Sequence, residues 1–578
     1  MPRAAAASEL PGGELPAGRL RVSALSRNAF LNATPLSYHP LVGLIEITLG
    51  LLLAVAAVAA LGKWIPIPLP ILLVAGGIAL SYLPGFDELR IEPDVFFLLF
   101  IPPLLFADGW LIPKRDLMRA LRPVLLLAFG LVFLTTVVVG YLMHWLIPSL
   151  PLAAAFALGA VISPTDAVSV SSITSRLKVP SRVTTVLKGE SLINDASGLV
   201  AFKFAIAAAA TGAFSWNDAV VQFFVQSGGG FAVGLAVAWL IGRLRLGLTR
   251  FCIDDPLILT VLSLLTPFAA YLAAEAAQVG SILAVVGAAL YAGAHDARFI
   301  DAPTRAHSWE VWRMLQFAFN GLVFLLLGVQ LHLVVEGLSR AAMIGLAGYA
   351  LILSAAVMAL RLAWVFPASY LPFLLSKRIR DREGPYRPRN VFIVGWAGVR
   401  GSVTLAAALS IPLTTATGAP FPGRELLILL AASVIVVTLL LNATTLPFFI
   451  RLLKIRGDGI AAREERAARI ATAQAAIAAL QQRLSQATQA DETRFTQALL
   501  TQYEHRLQRH SANADRRQHL DALHDTQRDI WLDAVKAERK ELMELRKADV
   551  INDEVMRVLQ ADIDLEETLI VGATRHEL

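Results

Sequence analysis

The sequence predicts an all-α membrane protein of about thirteen transmembrane helices, followed by a water-soluble helical tail. Three observations carry that prediction. The chain of 578 residues is 56% hydrophobic and only 17% charged, with a mean hydropathy of +0.60; soluble domains usually carry about 25% charged residues. The shortage of charge is concentrated between Pro40 and Leu453, where apolar runs long enough to span follow one another, a span needing ~20 apolar residues. From Gly457 to Leu578 the composition changes, and Ala, Gln, Arg, Glu and Asp alternate with spaced Leu and Ile.

Taken in order, residues 1–38 are rich in Ala, Gly, Pro and Arg and lack the apolar stretch and cleavage site of a secretory signal. They read as a disordered lead-in. Residues 39–455 form the transmembrane domain. Its spans centre near Leu52, Leu73, Leu99, Val132, Leu158, Leu199, Val233, Leu262, Val286, Phe324, Val357, Ala406 and Ile435. The second is short, bounded by Pro70 and Pro84. The eleventh, Met343 to Leu375, has the length of a strongly tilted helix or of a helix plus an interfacial piece.

Loop charge sets orientation. Loops after odd-numbered spans are basic, for example Lys114, Arg115, Arg119 and Arg122, whereas those after even-numbered spans carry only Arg90, Arg340 and Arg424. The odd loops and the C-terminus therefore fall in the cytoplasm, with the N-terminus outside, in a multi-pass protein of the cell (inner) membrane. The lead-in, with Arg3, Arg19, Arg21 and Arg27, argues the other way and is outvoted by the internal loops.

Residues 456–578 form the cytoplasmic tail. Ile470–Leu484 and Leu542–Leu559 show apolar residues at three- and four-residue spacing. The tail is either a helical hairpin packing on itself or on a dimer partner, or a regulatory domain sensing pH or a ligand. It carries no nucleotide loop or metal motif.

Several function classes drop out. The net charge of +6 and pI near 9.4 reside in loops and tail, which argues against nucleic acid as a partner. One cysteine, Cys252, excludes an intrachain disulfide framework and a cysteine metal cluster. The ten histidines show no ligand spacing, so no metal-enzyme site and no cofactor are assigned, and the chain does not read as an enzyme.

What remains is chemistry at bilayer depth, where an ionisable residue costs at least ~2.5–3.5 kcal/mol and marks an ion or proton pathway by default. Ser163-Pro164-Thr165-Asp166 lies late in the fifth span. Proline removes a donor and clashes with the preceding turn, so the helix is predicted to break there. Broken backbone survives in a membrane only where protein or a water-filled cavity satisfies it. Freed carbonyls and the Ser163 and Thr165 hydroxyls are hard oxygen donors suited to an alkali cation; the plainer reading is a kink with Asp166 as a buried cap.

The sixth span is taken to open with Gly189-Glu190-Ser191 and to continue through Asn194-Asp195-Ala196-Ser197. Ser191 and Asp195, four apart, share one helix face. Asp195 holds either a proton or a metal cation at one place, the simplest device for exchange. A single titrating carboxylate predicts roughly one proton per monovalent cation. Asn194 is neutral and carries no second proton. Glu190, if buried, needs a partner. Arg400 is assigned, in the glycine-rich twelfth span Gly395-Trp396-Ala397-Gly398-Val399-Arg400-Gly401-Ser402, as an architectural clasp. The fifth and twelfth spans are both interrupted and lie seven apart, as two inverted six-helix repeats joined by a linker span would place them. Asp108, ending the third span, either lines an inner funnel or caps the span. Lys203 is either a counter-charge or a snorkelling side chain. Arg361 reads as structural and Glu46 as interfacial.

Together these stretches resemble the sodium/proton exchanger family. The matching pieces are PPLLFADGW, SPTDAVSV, GESLINDASGLVAFKFA, FLLLGVQL and GWAGVRGSVTLAAALSIP, in family order across Val42 to Leu453. The resemblance implies a thirteen-span homodimer with a dimerisation domain, a mobile core of two three-helix bundles crossing near the ion, and elevator-like alternating access. It implies Asp195 as the ion- and proton-binding carboxylate and Asn194 as a brace. Thr165 and Ser191 would supply further contacts to the transported cation, Asp166 would steady the unwound crossing, and Glu190–Arg400 would be the core ion pair. Where some family members have an acid in the third span, this chain has Ala107, one place before Asp108.

The expected function is electroneutral exchange of Na⁺ for H⁺, with K⁺/H⁺ exchange (or Li⁺) as the alternative in the same class. A gated cation channel is the alternative in another class, and a membrane sensor with the tail as output is a third. Implied partners are Na⁺ and H⁺ as substrates, the lipid bilayer and a second copy of the chain.

Overall fold

The structure, a computed structural model, describes residues 40–575 apart from 66, 84–92, 175–176, 178, 212–215, 252–254, 300, 337–339, 384–386, 416–417 and 513. The lead-in 1–38 lies outside the described residues. Among these, every regular element is a helix. In chain order they are α1 (Pro40–Leu61), α2 (Leu69–Leu80), α3 (Pro93–Leu111), α4 (Leu121–Leu146), α5 (Leu152–Ile162), α6 (Ala167–Thr174) and α7 (Ser181–Thr211). There follow α8 (Trp216–Arg250), α9 (Pro256–Ala276), α10 (Ser281–Phe299), α11 (Ala302–Glu336) and α12 (Arg340–Leu375). The membrane region ends with α13 (Pro388–Trp396), α14 (Ser402–Leu409) and α15 (Arg424–Leu452). The tail holds α16 (Ile460–Gln486), α17 (Ala490–Ser511), α18 (Ala514–Lys547) and α19 (Asp553–Arg575). Short helices Lys114–Arg119 and Lys377–Glu383 sit in connections.

Every centre assigned from the sequence falls inside one of these helices. Among the described residues, seven helices are long and apolar enough to cross a membrane on those grounds alone, and five shorter apolar helices accompany them. Large apolar side chains point outward from several of them, Leu53 and Trp145 being 72% and 76% exposed. Such a surface is costly in water and ordinary in lipid. The eleventh span is one uninterrupted helix, α12, despite Pro367 and Pro372 inside it. The sixth begins at Ser181 rather than Gly189, so the acidic motif lies mid-helix, where hydrogen bonding within the helix satisfies its backbone.

The chain divides into two compact units: residues 1–177 with 185–453, and residues 178–184 with 454–578. In the first, helices meet through small residues, as expected where no hydrophobic force drives apolar helices together. Side chains at Gly77 and Gly328 would each strike main chain, of α11 and α2 respectively, so these two helices pack backbone to backbone. In α4, residues Leu126–Leu131 widen into a π-turn. Its loosened carbonyls are taken up from outside: Trp364 Nε1 donates to Leu126 O at 3.0 Å and Ser197 Oγ to Ala128 O at 2.5 Å. A π-turn satisfied by neighbouring helices is a common feature beside functional sites.

In the second unit, Asp458 serves two helix starts. Its Oδ2 accepts from Ser181 N and Oγ at 3.2 and 2.8 Å, and its Oδ1 from Ile460 N at 3.2 Å. A carboxylate at a helix N-terminus satisfies orphan N–H groups and opposes the helix dipole. Helices α16 and α17 are closed by Arg466, which donates to His510 O and Ala512 O, each at 2.7 Å. The apolar run Leu542–Leu559 is not one helix. It is cut after Lys547, with Asp549 in the left-handed region at φ 59°, and Asn552 Oδ1 then accepts from Val555 N at 2.8 Å to start α19.

Candidate ion-binding site

The site is built on two broken helices. Between α5 and α6, Pro164–Asp166 leave helical conformation, as the proline leads one to expect. Between α13 and α14, Ala397–Gly401 do the same. The two breaks cross in contact. Asp166 N donates to Val399 O at 2.8 Å, and Arg400 Nε to Ile162 O at 2.9 Å. A Cβ at Gly401 would run into the Asp166 side chain, so the approach demands glycine there.

Helix α7 passes beside this crossing and presents Glu190, Ser191, Asn194 and Asp195, all buried. Asn194 Nδ2 donates to Thr165 Oγ1 at 2.9 Å, and Thr165 Oγ1 donates to Glu190 Oε1 at 3.3 Å. Ser191 Oγ accepts from Ala167 N at 3.2 Å, capping the start of α6. Asp166 Oδ2 accepts from Ser169 Oγ at 2.5 Å. The sequence motifs thus meet in space: Thr165 and Asp166 from one break, and Ser191, Asn194 and Asp195 from the helix beside it.

One sequence assignment is corrected. Glu190 does not pair with Arg400. Its two oxygens are held by Arg361 of α12, through Nη1 to Oε1 and through Nη2 to Oε2, the latter at 2.8 Å, with both side chains fully buried. Arg361 also donates from Nη2 to Val394 O at 3.0 Å. Arg400 is taken up by carbonyls instead, Ile162 O through Nε and Gly398 O through Nη1, while its own N–H bonds Thr438 Oγ1 at 3.3 Å. The physical reason is the broken backbone. Carbonyls released at the helix ends need donors, and the arginine inside the break is nearest to them. A bidentate fork on a carboxylate is the geometry arginine favours, and Arg361 supplies it.

Asp195, Asp166, Asp108, Thr165, Ser191, Ser402 and Thr404 surround a cavity of about 20 Å³. That volume admits a single water-sized occupant. Among the described residues, three carboxylates and no lysine or arginine line it. Carboxylates that share one cavity repel in a medium less polar than water, which favours a proton or a cation among them. Its donors are all hard oxygens.

A second cavity of about 480 Å³ adjoins it, sharing Asp108, Ser191 and Asn320, and bears Lys188 and Arg313 on its wall. Asp108 Oδ1 accepts from Gln316 Nε2 at 2.6 Å. Gln316 and Asn320 went unassigned from sequence. They are polar residues four apart on one face of an apolar span, which is the signal that could have found them. Lys203 stands apart from the acidic cavity. It is exposed, on a separate cavity of about 350 Å³ shared with Gln226 and Glu275.

Comparison with known proteins gives the family of the chain. The family model described as "Sodium/hydrogen exchanger, transmembrane" matches residues 50–452. The chain is 38% identical over 519 residues to the uncharacterized Na(+)/H(+) exchanger YjcE of Escherichia coli K12, covering 87% of this chain and 94% of that one. It is 42% identical over 414 residues to the sodium, potassium, lithium and rubidium/H(+) antiporter of Bacillus pumilus, covering 70% and 61%. Among solved structures, the sodium proton antiporter MjNhaP1 of Methanocaldococcus jannaschii at pH 8 shares the fold, with TM-score 0.54, 19% identity and coverage of 71% and 98%. The chain belongs to the sodium/hydrogen exchanger family.

Proposed function

We propose that the protein exchanges Na⁺ for H⁺ across the cell membrane by alternating access, one for one, with Asp195 as the group both ions share. The observation that carries this reading is the small cavity at the helix crossing, walled by Asp195, Asp166 and Asp108 and by hydroxyls. An alkali cation entering it finds oxygen ligands and displaces the proton that otherwise balances Asp195. Thr165 and Ser191 complete the coordination, Asn194 braces the crossing through Thr165, and Asp166 holds the two breaks together. The larger cavity bearing Lys188 and Arg313 is the route from the cytoplasm, with Asp108 at its inner end.

In this reading the membrane region forms about thirteen spans in two inverted repeats, counting each broken helix as one span. The N-terminus is outside and the C-terminus in the cytoplasm, an orientation that the basic internal loops support. The protein acts as a homodimer and performs no covalent chemistry. K⁺ or Li⁺ in place of Na⁺ is the second reading, favoured by the name of the 42% identical Bacillus relative.

The test is a proteoliposome assay with an imposed pH gradient. Added Na⁺ dissipates the gradient in the wild type, and Asp195→Asn abolishes the response while leaving reconstituted protein intact. Parallel additions of K⁺ and Li⁺ rank the cations. Exchange by Asp195→Asn at the wild-type rate would overturn the proposal, and current without proton countermovement would indicate a channel.

A further inference from the structure

The end of α8 holds a buried arginine that the transport reading does not use. Arg245 is 7% exposed. Its Nη1 donates to Asp296 Oδ1 of α10 at 3.1 Å, and the other oxygen of Asp296 accepts from Trp110 Nε1 at 2.9 Å. The carboxylate is thus engaged on both oxygens, yet Nε and Nη2 of Arg245 have no hydrogen-bond partner among the described residues. Buried donors on a charged group are costly to leave unmade, and such groups in folded proteins call for a water, an ion or a ligand.

Beside them lies a cavity of about 290 Å³ between α8, α9 and α10. Among the described residues its wall carries Arg243, Arg245 and His295 against the single acid Asp296, with Thr249 and apolar groups such as Trp239 and Leu246. Arginines outnumber the acid, which suits an anion. Arg243 is exposed at the cavity's edge, its guanidinium 5.4 Å from the Trp239 ring centre. Leu240 and Leu244, on the same helix, are 62% and 50% exposed. Arginine and tryptophan beside outward leucines at the end of an apolar helix mark the level of lipid headgroups.

We propose that this cavity is a binding site for a phosphate group, with Arg245 and Arg243 as its ligands, and that the phosphodiester of a membrane phospholipid is the form it takes. Tetrahedral phosphate oxygens match the guanidinium fork. The volume approaches that of ordinary ligand pockets, about 300 Å³ and upward. Its apolar wall receives the glycerol and the first methylenes, which free phosphate lacks.

The experiment uses the purified full chain, stripped of lipid in detergent, and reads binding rather than transport, so its failure is separate from failure of the exchange reading. Phosphatidylglycerol, phosphatidylcholine and inorganic phosphate are titrated by native mass spectrometry and thermal melting. Two variants accompany the wild type. Arg245→Lys keeps a cation for Asp296 but loses the fork. Gly242→Leu places a side chain into the cavity, where a Cβ meets nothing within 4 Å, without touching a charge. Each variant is expected to weaken phosphatidylglycerol binding by about tenfold, Arg245→Lys through a lost charge-assisted hydrogen bond and Gly242→Leu by occupying the space of the ligand. Tight binding of phosphatidylcholine with the same sensitivity also supports the site and makes the phosphodiester alone sufficient. Inorganic phosphate binding that the variants weaken, with no lipid effect, supports the phosphate site and assigns a soluble source. Wild-type affinity in both variants, or no binding of any of the three, overturns the proposal.

Discussion

Arg361 and Arg400 are both sealed from solvent, 0% and 1% exposed, yet they are neutralised in different ways. Arg361 closes on the carboxylate of Glu190 from a continuous helix. Arg400 sits within a break and donates to the main chain, Ile162 O and Gly398 O. The two share one habit. Each also caps the last turn of a half-helix: Arg400 at the end of α5, and Arg361 at Val394 O near the end of α13. The C-terminal end of a helix carries partial negative charge. A broken helix in a membrane therefore creates an acceptor for a cation where no acidic residue exists. The difference teaches that, in this fold, charge pairing cannot be read from acids and bases alone.

The largest effect should come from Arg361. Arg361→Ala strands a fully buried Glu190, and losing one side of such a pair costs about 3–5 kcal/mol. The loss would be seen as a lowered melting temperature and poor recovery in detergent. Removing both charges, as Glu190→Leu with Arg361→Met, should regain most of it, since an apolar pair of similar volume is often neutral. Arg400→Ala should cost less, about 1.5–3 kcal/mol for hydrogen bonds from a charged donor, and here a second substitution at Glu190 should restore nothing. Recovery of Arg400→Ala by Glu190→Gln would reinstate the pairing that the sequence suggests and erase the distinction.

That contrast also marks how much was legible in the sequence. The helices and their centres were, because apolar runs punctuated by basic loops have few other solutions in a bilayer. The two breaks were legible too: Pro164 on one side and glycines 395, 398 and 401 on the other weaken helix by known mechanisms. The meeting of Thr165 with Asn194 followed from motifs flanking those breaks. What sequence could not supply was the rotation of one helix against another. Read from sequence, Glu190 goes to Arg400 and Arg361 is left as structural, whereas Arg361 holds Glu190; the azimuth of α12 decides between them, and nothing local in the chain encodes it. The same blindness hid the bond from Gln316 to Asp108 that joins α11 to α3. It also hid the early start of α7, which is fixed by Asp458 far along the chain.

The smallest effect separates the buried pair from an exposed one. Arg546 and Asp553 bridge the turn between α18 and α19 at 2.5 Å, with the Asp553 side chain 62% exposed. The hydrogen bond from Arg546, and then its charge, hold the Asp553 carboxyl below its ordinary value. The sign follows by linkage. A carboxyl whose folded value is depressed contributes its stabilisation in full above the unfolded value, about 3.9. The contribution fades as pH falls from there through the folded value. Amide exchange of residues 546–553 in the full chain should therefore be constant from about pH 5 upward, once intrinsic exchange rates are divided out, and should quicken below about 4. Asp553→Asn should remove that acid-dependent increment. Salt should weaken the exposed bridge, because ions screen charges at the surface, and leave Glu190–Arg361 untouched, because none reach it. An acid response of the turn that survives Asp553→Asn unchanged would place its cause in another group and detach this bridge from the comparison.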